Sequence, residues 1–295
     1  MVAMTKGFSI MQKRGKPMKH ISRLRLGRPF WALFAVMAVV LTLGTTPVLA
    51  AADTPTTTAA EQDPEAKAIL MKMAAFMAKA PAFSMTLRSG YDAIQEDGQY
   101  IEFGEQRHIL LNRPDQLRVE TERSDGEQGL VLFNGKEITA FKADDNVFAQ
   151  VEKPGTVDDA LVYLVRDLQF TFPLARMLHS GFAQQMEKKK ITAISYVEEN
   201  FLFDVVTDHL AIRTEDVDMQ LWIAQGDKPL PRRVILTYKN APGQPQFRGD
   251  FTEWSLAPKI AVDSFTFTPP AGAEKVPVIV RVRQKGSIPV QKGGE

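Results

Sequence analysis

Few side chains in this sequence can carry chemistry. Three histidines, His108, His179 and His209, lie beyond residue 50, and cysteine is absent. Catalysis by histidine needs a nucleophile or carboxylate brought to it, and no G-x-S-x-G, H-E-x-x-H or Gly-rich phosphate loop is present. His108 stands between Arg107 and Ile109 in a run that reads as strand, so it is expected as one more sheet side chain. Asp208, Glu215, Asp216 and Asp218 could gather around a hard cation. They lack the spacing and the glycine of a calcium loop, and a solvated acidic hairpin edge accounts for them better. No catalytic residue, metal ligand or cofactor is expected.

The surplus is apolar: 18 Phe and 12 Met in 295 residues, with no thiol for a disulfide or for lipidation. Phe201-Leu202-Phe203 with Val205-Val206, and Val234-Ile235-Leu236, are apolar on both strand faces, so cover is expected on both sides there. Two accounts stand. One is ordinary packing with Met as adaptable filler. The other is a cavity for acyl chains, whose burial contributes about 0.8 kcal/mol per CH₂. Strand parity then selects the lining: Phe83, Met85 and Leu87, Ile101 and Phe103, Leu117 and Val119, Leu221 and Ile223. Leu161, Val165 and Met177 are the lid candidates. Trp222 and Trp254 read either as cavity aromatics or as caps on the outer side, and parity sets Trp222 opposite Leu221 and Ile223.

The elements that would position these residues follow from period and punctuation. Asp63 can cap a helix that begins with Pro64 and Glu65 and carries Ile69, Leu70, Met73, Phe76, Met77 and Ala80 up to Pro81. The period then changes to two. Strands are expected at Phe83–Gln95, Tyr100–Leu111, Gln116–Arg123, Leu130–Phe133, Ile138–Phe141 and Val147–Val151, broken by turns such as Asn112-Arg113-Pro114-Asp115 and Asn134-Gly135. Thr156 can cap a second helix with Leu161, Val162, Leu164, Val165 and Leu168 on one stripe. A third, Pro173–Ser180, is expected to stop at Gly181. Strands resume at Ile191–Val197, Phe201–Thr207, Val217–Ala224, Arg232–Tyr238 and Gln246–Leu256, about eleven in all. The class is therefore mainly β (α+β), a curved antiparallel sheet wrapped around its own helices.

Charge divides the chain unevenly. Residues 1–50 hold eight basic side chains and no acidic one, which leaves 28 basic against 35 acidic, or −7, for the rest. That composition excludes a basic nucleic-acid surface on the folded part. The basic stretch precedes the fourteen-residue apolar run Phe30–Leu43 and the small residues ending at Ala50, the layout of a secretory signal too short for a spanning helix. Cleavage is expected after Ala50 or Ala52, and the periplasm is the natural compartment; retention as an anchor is the alternative. Residues 51–62 read as a spacer, 63–278 as one β domain and 279–295 as a basic tail with Arg281, Arg283 and Lys285. The tail is either a soluble extension, an added edge strand, or a contact to anionic headgroups.

Three short motifs resemble the periplasmic lipoprotein-carrier superfamily, the LolA-like fold. Val262-Asp263-Ser264-Phe265-Thr266-Phe267-Thr268-Pro269-Pro270-Ala271-Gly272 is similar to its closing F-x-F-x-P-P-x-G signature. Leu111-Asn112-Arg113-Pro114-Asp115 is similar to its R-P turn, and Asn134-Gly135-Lys136 stands where it has a D-G-K hairpin. The resemblance implies an incomplete antiparallel β-barrel with helices covering the open side around an apolar cavity. Leu221-Trp222-Ile223, Pro229-Leu230-Pro231-Arg232-Arg233 and the stretch from Gly249 to Trp254 look more like a branch of predicted exported proteins than like the carrier itself. The resemblance further implies a role for Arg113 in opening and cargo handling, whereas its sequence setting alone reads as an exposed turn. The expected partners are a lipid or acylated protein bound by a monomer, with an inner- or outer-membrane protein as a further candidate. Other members are envelope sensors, so a module that binds a protein partner is the alternative to a carrier.

Overall fold

The computed structural model describes residues 62–168, 170 and 174–278. The leader, most of the spacer and the tail, including the alternating run from Val278 to Val282 past its first residue, lie outside them. Pro64–Lys79 forms the helix α1, whose Asp63 cap accepts from the backbone N–H groups of Glu65 and Ala66. That cap satisfies two donors that a helix start leaves unpaired. The second carboxylate oxygen of Asp63 accepts from the backbone N–H of Tyr196 at 3.0 Å, so the same residue ties α1 to the sheet. Leu70, Met73, Ala74 and Met77 form the buried stripe.

Twelve strands follow: β1 (Ala82–Ile94), β2 (Tyr100–Asn112), β3 (Gln116–Arg123), β4 (Gln128–Phe133), β5 (Glu137–Lys142), β6 (Val147–Glu152), β7 (Ile191–Leu202), β8 (Val205–Thr214), β9 (Val217–Ala224), β10 (Pro231–Tyr238), β11 (Gln246–Ser255) and β12 (Glu274–Lys275). All belong to one open, curled sheet in the order β12-β6-β5-β4-β3-β2-β1-β11-β10-β9-β8-β7. Two antiparallel meanders are therefore joined where β1 pairs with β11. Among the described residues only β12 runs parallel to its neighbour, β6, and it raises the expected eleven strands to twelve.

The helical connection between β6 and β7 lies against α1 on the inner face of the sheet. It comprises α2 (Val157–Val162), a π-helical turn at Tyr163–Asp167, a 3₁₀ turn at Ala175–Leu178 and α3 (Phe182–Lys188). Thr156 and Asp159 close a reciprocal capping box at the start of α2. The expected helix at Pro173–Ser180 is corrected: among its described residues, 174–180, only a 3₁₀ turn at Ala175–Leu178 forms, and Gly181 begins α3 rather than ending a helix. One apolar core joins α1, α2, the 3₁₀ turn and the inner face of the strands.

A second correction falls on the expected strand Phe201–Thr207. β7 runs on to Leu202, and Phe203 and Asp204, at φ 50° and 59°, make the two-residue hairpin turn into β8. Such turns favour Gly, Asn or Asp, so Asp204 suits the turn but Phe203 does not signal it. Phe201 and Phe203 are consequently not covered on both faces. They stand 69% and 47% exposed at the hairpin end.

The closing segment crosses the outer face. Phe267 packs there on Phe141 and Phe148, with ring centroids 5.6 and 5.2 Å away, and Phe265 is buried. Phe141 and Phe148 are cross-strand partners, so a single aromatic covers an apolar pair that would otherwise face water.

Candidate functional site

The inner face of β1 presents Phe83, Met85 and Leu87, and β3 presents Leu117 and Val119. β9 presents Leu221 and Ile223. All seven are buried in the shared core. Register explains why they meet: Phe83 opposes Leu111, which opposes Leu117, and Met85 opposes Ile109, which opposes Val119. Above them lie Met73 and Met77 of α1, Leu161 of α2 and Met177 of the 3₁₀ turn, so thioethers form much of the boundary between sheet and helices. A cleft of about 250 Å³ opens at one margin, between Ile69 and Lys72 of α1 and Asp208, Ile223, Ala224, Gln225, Gly226 and Pro229.

Three of the expected residues are placed differently. Ile101 and Phe103 are each 38% exposed and lie outside the core. Their strand does show its inner face with the expected parity, but Arg107 and Glu105 come between them and Ile109 on that face. Arg107 is buried and its Nη2 lies 2.7 Å from Glu105 Oε1, so the apolar lining stops at an ion pair. Burial pulls the guanidinium pKa down and the Glu105 charge opposes it. Arg107 was legible as an inward position from its spacing to Ile109, two residues on. The third is Val165, 45% exposed, because α2 passes into the π turn and Leu164 takes the inward seat.

Trp254 also turns inward, 5.5 Å from Phe83 ring to ring, with its indole N–H donating to the Pro231 carbonyl oxygen at 3.2 Å. A bulge puts it there: Ser84 opposes Ser255 but Thr86 opposes Thr252, so one strand holds an extra residue. Trp222 faces the outer side and stacks on His209 with centroids 4.0 Å apart and planes 10° from parallel. Burial lowers the His209 pKa and favours a neutral ring.

Arg113 is a fastening rather than an exposed turn. Its Nε donates to the carbonyl oxygen of Ala80 at 3.1 Å and its Nη2 to that of Leu178 at 2.8 Å, while Nη1 lies 3.7 Å from Asp158. Asp158 also accepts from the Ser180 backbone N–H at 2.9 Å and from its hydroxyl. One guanidinium thus joins the end of α1, the start of α2 and the 3₁₀ turn to the turn after β2. Burial lowers its pKa and the Asp158 carboxylate opposes that shift.

The acidic residues read as a possible cation site are dispersed. Asp208 is held by Gln225 Nε2 at 2.8 Å, Asp216 by Asn240, and Asp218 by Lys239. Among the described residues no group of three His, Asp or Glu side chains is arranged to hold a metal ion.

A family described as predicted periplasmic proteins, DUF2092, matches residues 66–279. The chain belongs to that family. The matched region spans α1, both meanders, the Arg113 fastening and the closing aromatic segment. No curated protein matches the chain. Among solved structures the chain is similar to lipoprotein LppX of Mycobacterium tuberculosis, at 11% identity over 68% of this chain and 100% of that one, with a TM-score of 0.42. It is similar to a LolA superfamily protein from Nitrosomonas europaea, at 12% identity over 68% and 96%, TM-score 0.31. A chain of the Pseudomonas aeruginosa MucA/MucB complex matches at 15% over 69% of this chain, which spans 61% of that one, TM-score 0.38.

Proposed function

We propose that the protein is exported, loses its leader after Ala50, and holds a lipid, an acylated protein's chains or another amphiphile between the inner face of the sheet and the helices, without catalysing a reaction. The observation that carries this reading is the inner face itself. It is apolar from Leu111 through Ile109 and ends at the buried Arg107–Glu105 pair, beneath a cover hung on Arg113. Such a face offers apolar length for a chain and one polar wall for a head. The lining is Phe83, Met85, Leu87, Leu117, Val119, Leu221 and Ile223, and the cover contributes Leu161 and Met177. Their side chains fill the space in the closed form, so admitting a chain requires the helices to lift. Thioethers suit that cycle because they repack at low cost.

The test is native mass spectrometry of the protein purified without detergent, followed by extraction and lipid analysis. Retained amphiphile that Leu117→Trp abolishes supports the reading. A bare mass, unchanged after incubation with envelope lipids, overturns it.

A second reading, a sensor or scaffold that binds a protein partner, is favoured by β7. It is the terminal strand of the sheet and carries exposed Val197 and Phe201, with Phe203 and Val206 beside them. Exposed apolar residues along an edge strand suit a partner that adds a strand.

A further inference from the structure

The outer face of the sheet carries a polar cleft that the amphiphile reading leaves unused. It measures about 620 Å³ and lies between β1, β2, β3 and β11 and the segment containing Pro258, Lys259, Asp263 and Ser264. Thr86 and His108 are cross-strand partners at its floor. The Thr86 hydroxyl donates to Glu253 Oε2 at 2.6 Å and lies 2.8 Å from His108 Nδ1. A hydroxyl whose proton is committed to a carboxylate can only accept from the ring, which makes Nδ1 the protonated nitrogen. His108 Nε2 then accepts from Gln106 Nε2 at 2.8 Å. The chain of bonds is complete and directional, and it ends on Glu253.

Glu253 is built into this position against the preference of its backbone. It occupies the bulge that turns Trp254 inward, at φ 54°, a left-handed conformation that glycine adopts freely and other side chains adopt at a cost. Bulges of this kind re-aim a side chain, and here the side chain delivered to the cleft is a carboxylate. Thr86 satisfies one of its oxygens, and Lys259 and Asp263 line the same cleft without an ion-pair partner among the described residues. The remaining cation, Arg118, is occupied by Glu120 and by the Ser264 carbonyl oxygen. Glu253, Lys259 and Asp263 are exposed and all line this cleft, so hydrated charges of both signs border one space with no ion pair joining them.

We propose that this cleft is a second binding site, for a small zwitterion whose ammonium group meets Glu253 and Asp263 and whose anionic group meets Lys259. An amino acid or short peptide and a phosphoethanolamine head share that chemistry. Charge-assisted bonds at both ends would favour the zwitterion over either half of it. The site lies on the opposite face from the apolar interior and stands or falls independently of it.

The test is titration of the purified protein with alanine, dialanine and phosphoethanolamine, followed by amide NMR, with ethylammonium and acetate as half-ligands. The expected result is saturable shifts at residues around the cleft with at least one zwitterion, and binding at least about tenfold weaker for each half-ligand. Which zwitterion binds identifies the source. Glu253→Gln keeps an acceptor for Thr86 but removes the charge, and Lys259→Met removes the opposite charge; each should weaken binding at least about tenfold. Glu253→Gly should melt no lower than the wild type and still fail to bind, which separates the site from the fold. Absence of saturable shifts with all three zwitterions, half-ligands that bind as well as the whole, or binding unchanged in Glu253→Gln and Lys259→Met would each overturn the proposal.

Discussion

Arg113 donates to the carbonyl oxygen of Leu178 at 2.8 Å, a bond that spans 65 residues of sequence and joins the sheet to the helices covering it. Leu178 ends the 3₁₀ turn, and its carbonyl would otherwise be an unpaired acceptor at a helix end. The strength of the cover therefore depends on one side chain from the opposite layer.

Arg113→Ala should loosen the cover more than the sheet. It strands the carbonyls of Ala80 and Leu178 and leaves Asp158 with Ser180 and the nearby His179 ring, a loss of about 2–3 kcal/mol for bonds to a charged donor. Hydrogen exchange should quicken first in residues 175–188, ahead of β1 to β3. Uniform protection across both layers would show that Arg113 is not the fastening.

Methionine truncation tests how closely the helices seat on the sheet. Met73 is 1% exposed, and Met73→Ala should cost about 2–5 kcal/mol in denaturant unfolding because the cavity cannot fully collapse. The same variant should bind a fluorescent acyl probe more tightly than the wild type if the interior accepts chains, since it opens space where the chain would lie.

The Asp63 carboxyl is held below the usual carboxylate range by the backbone N–H of Tyr196, then that of Ala66, with Glu65 adding a smaller share. A carboxyl with a lowered folded pKa binds fewer protons in the native state than in the unfolded one. Its contribution is present in full above the unfolded value, near pH 4, and is lost as pH falls through the folded value. Asp63→Asn should therefore flatten the stability profile below about pH 4 relative to the wild type. Parallel profiles for the two proteins in that window would remove Asp63 from the acid response.

Phe265→Ala should cost about 3 kcal/mol, since this ring of the closing segment is only 6% exposed. Phe201→Ser should change stability by less than about 0.5 kcal/mol, because its ring already faces water. If a protein partner adds to β7, that second variant should abolish its capture while the melting temperature stays unchanged.

Much of the molecule was legible locally. Asp63 and Thr156 cap the helices that their spacing announces, and β3 and β9 begin and end on the residues at which alternation starts and stops. The inward sets on β1, β3 and β9 follow from parity alone. Parity fails where a strand gains a residue. Nothing near Gly249 to Trp254 signals that Glu253 will take a left-handed backbone and send Trp254 inward, because a bulge is settled by the partner strand. The turn at Phe203 and Asp204 is hidden for a similar reason: Asp204 tolerates a left-handed backbone, but pairing of Leu202 with Val205 imposes one on Phe203 as well, which does not favour it.

By itself, the sequence determined the kinds of element, most of their limits and which side chains alternate to the apolar face, since these depend on period, caps and turn residues within a few positions. The tertiary structure alone decided that Arg107 closes the apolar lining, that Arg113 fastens the helices and that Glu253 and Lys259 share a cleft. Those relationships join residues far apart in the chain, and they are set by strand register and burial, which no local pattern encodes.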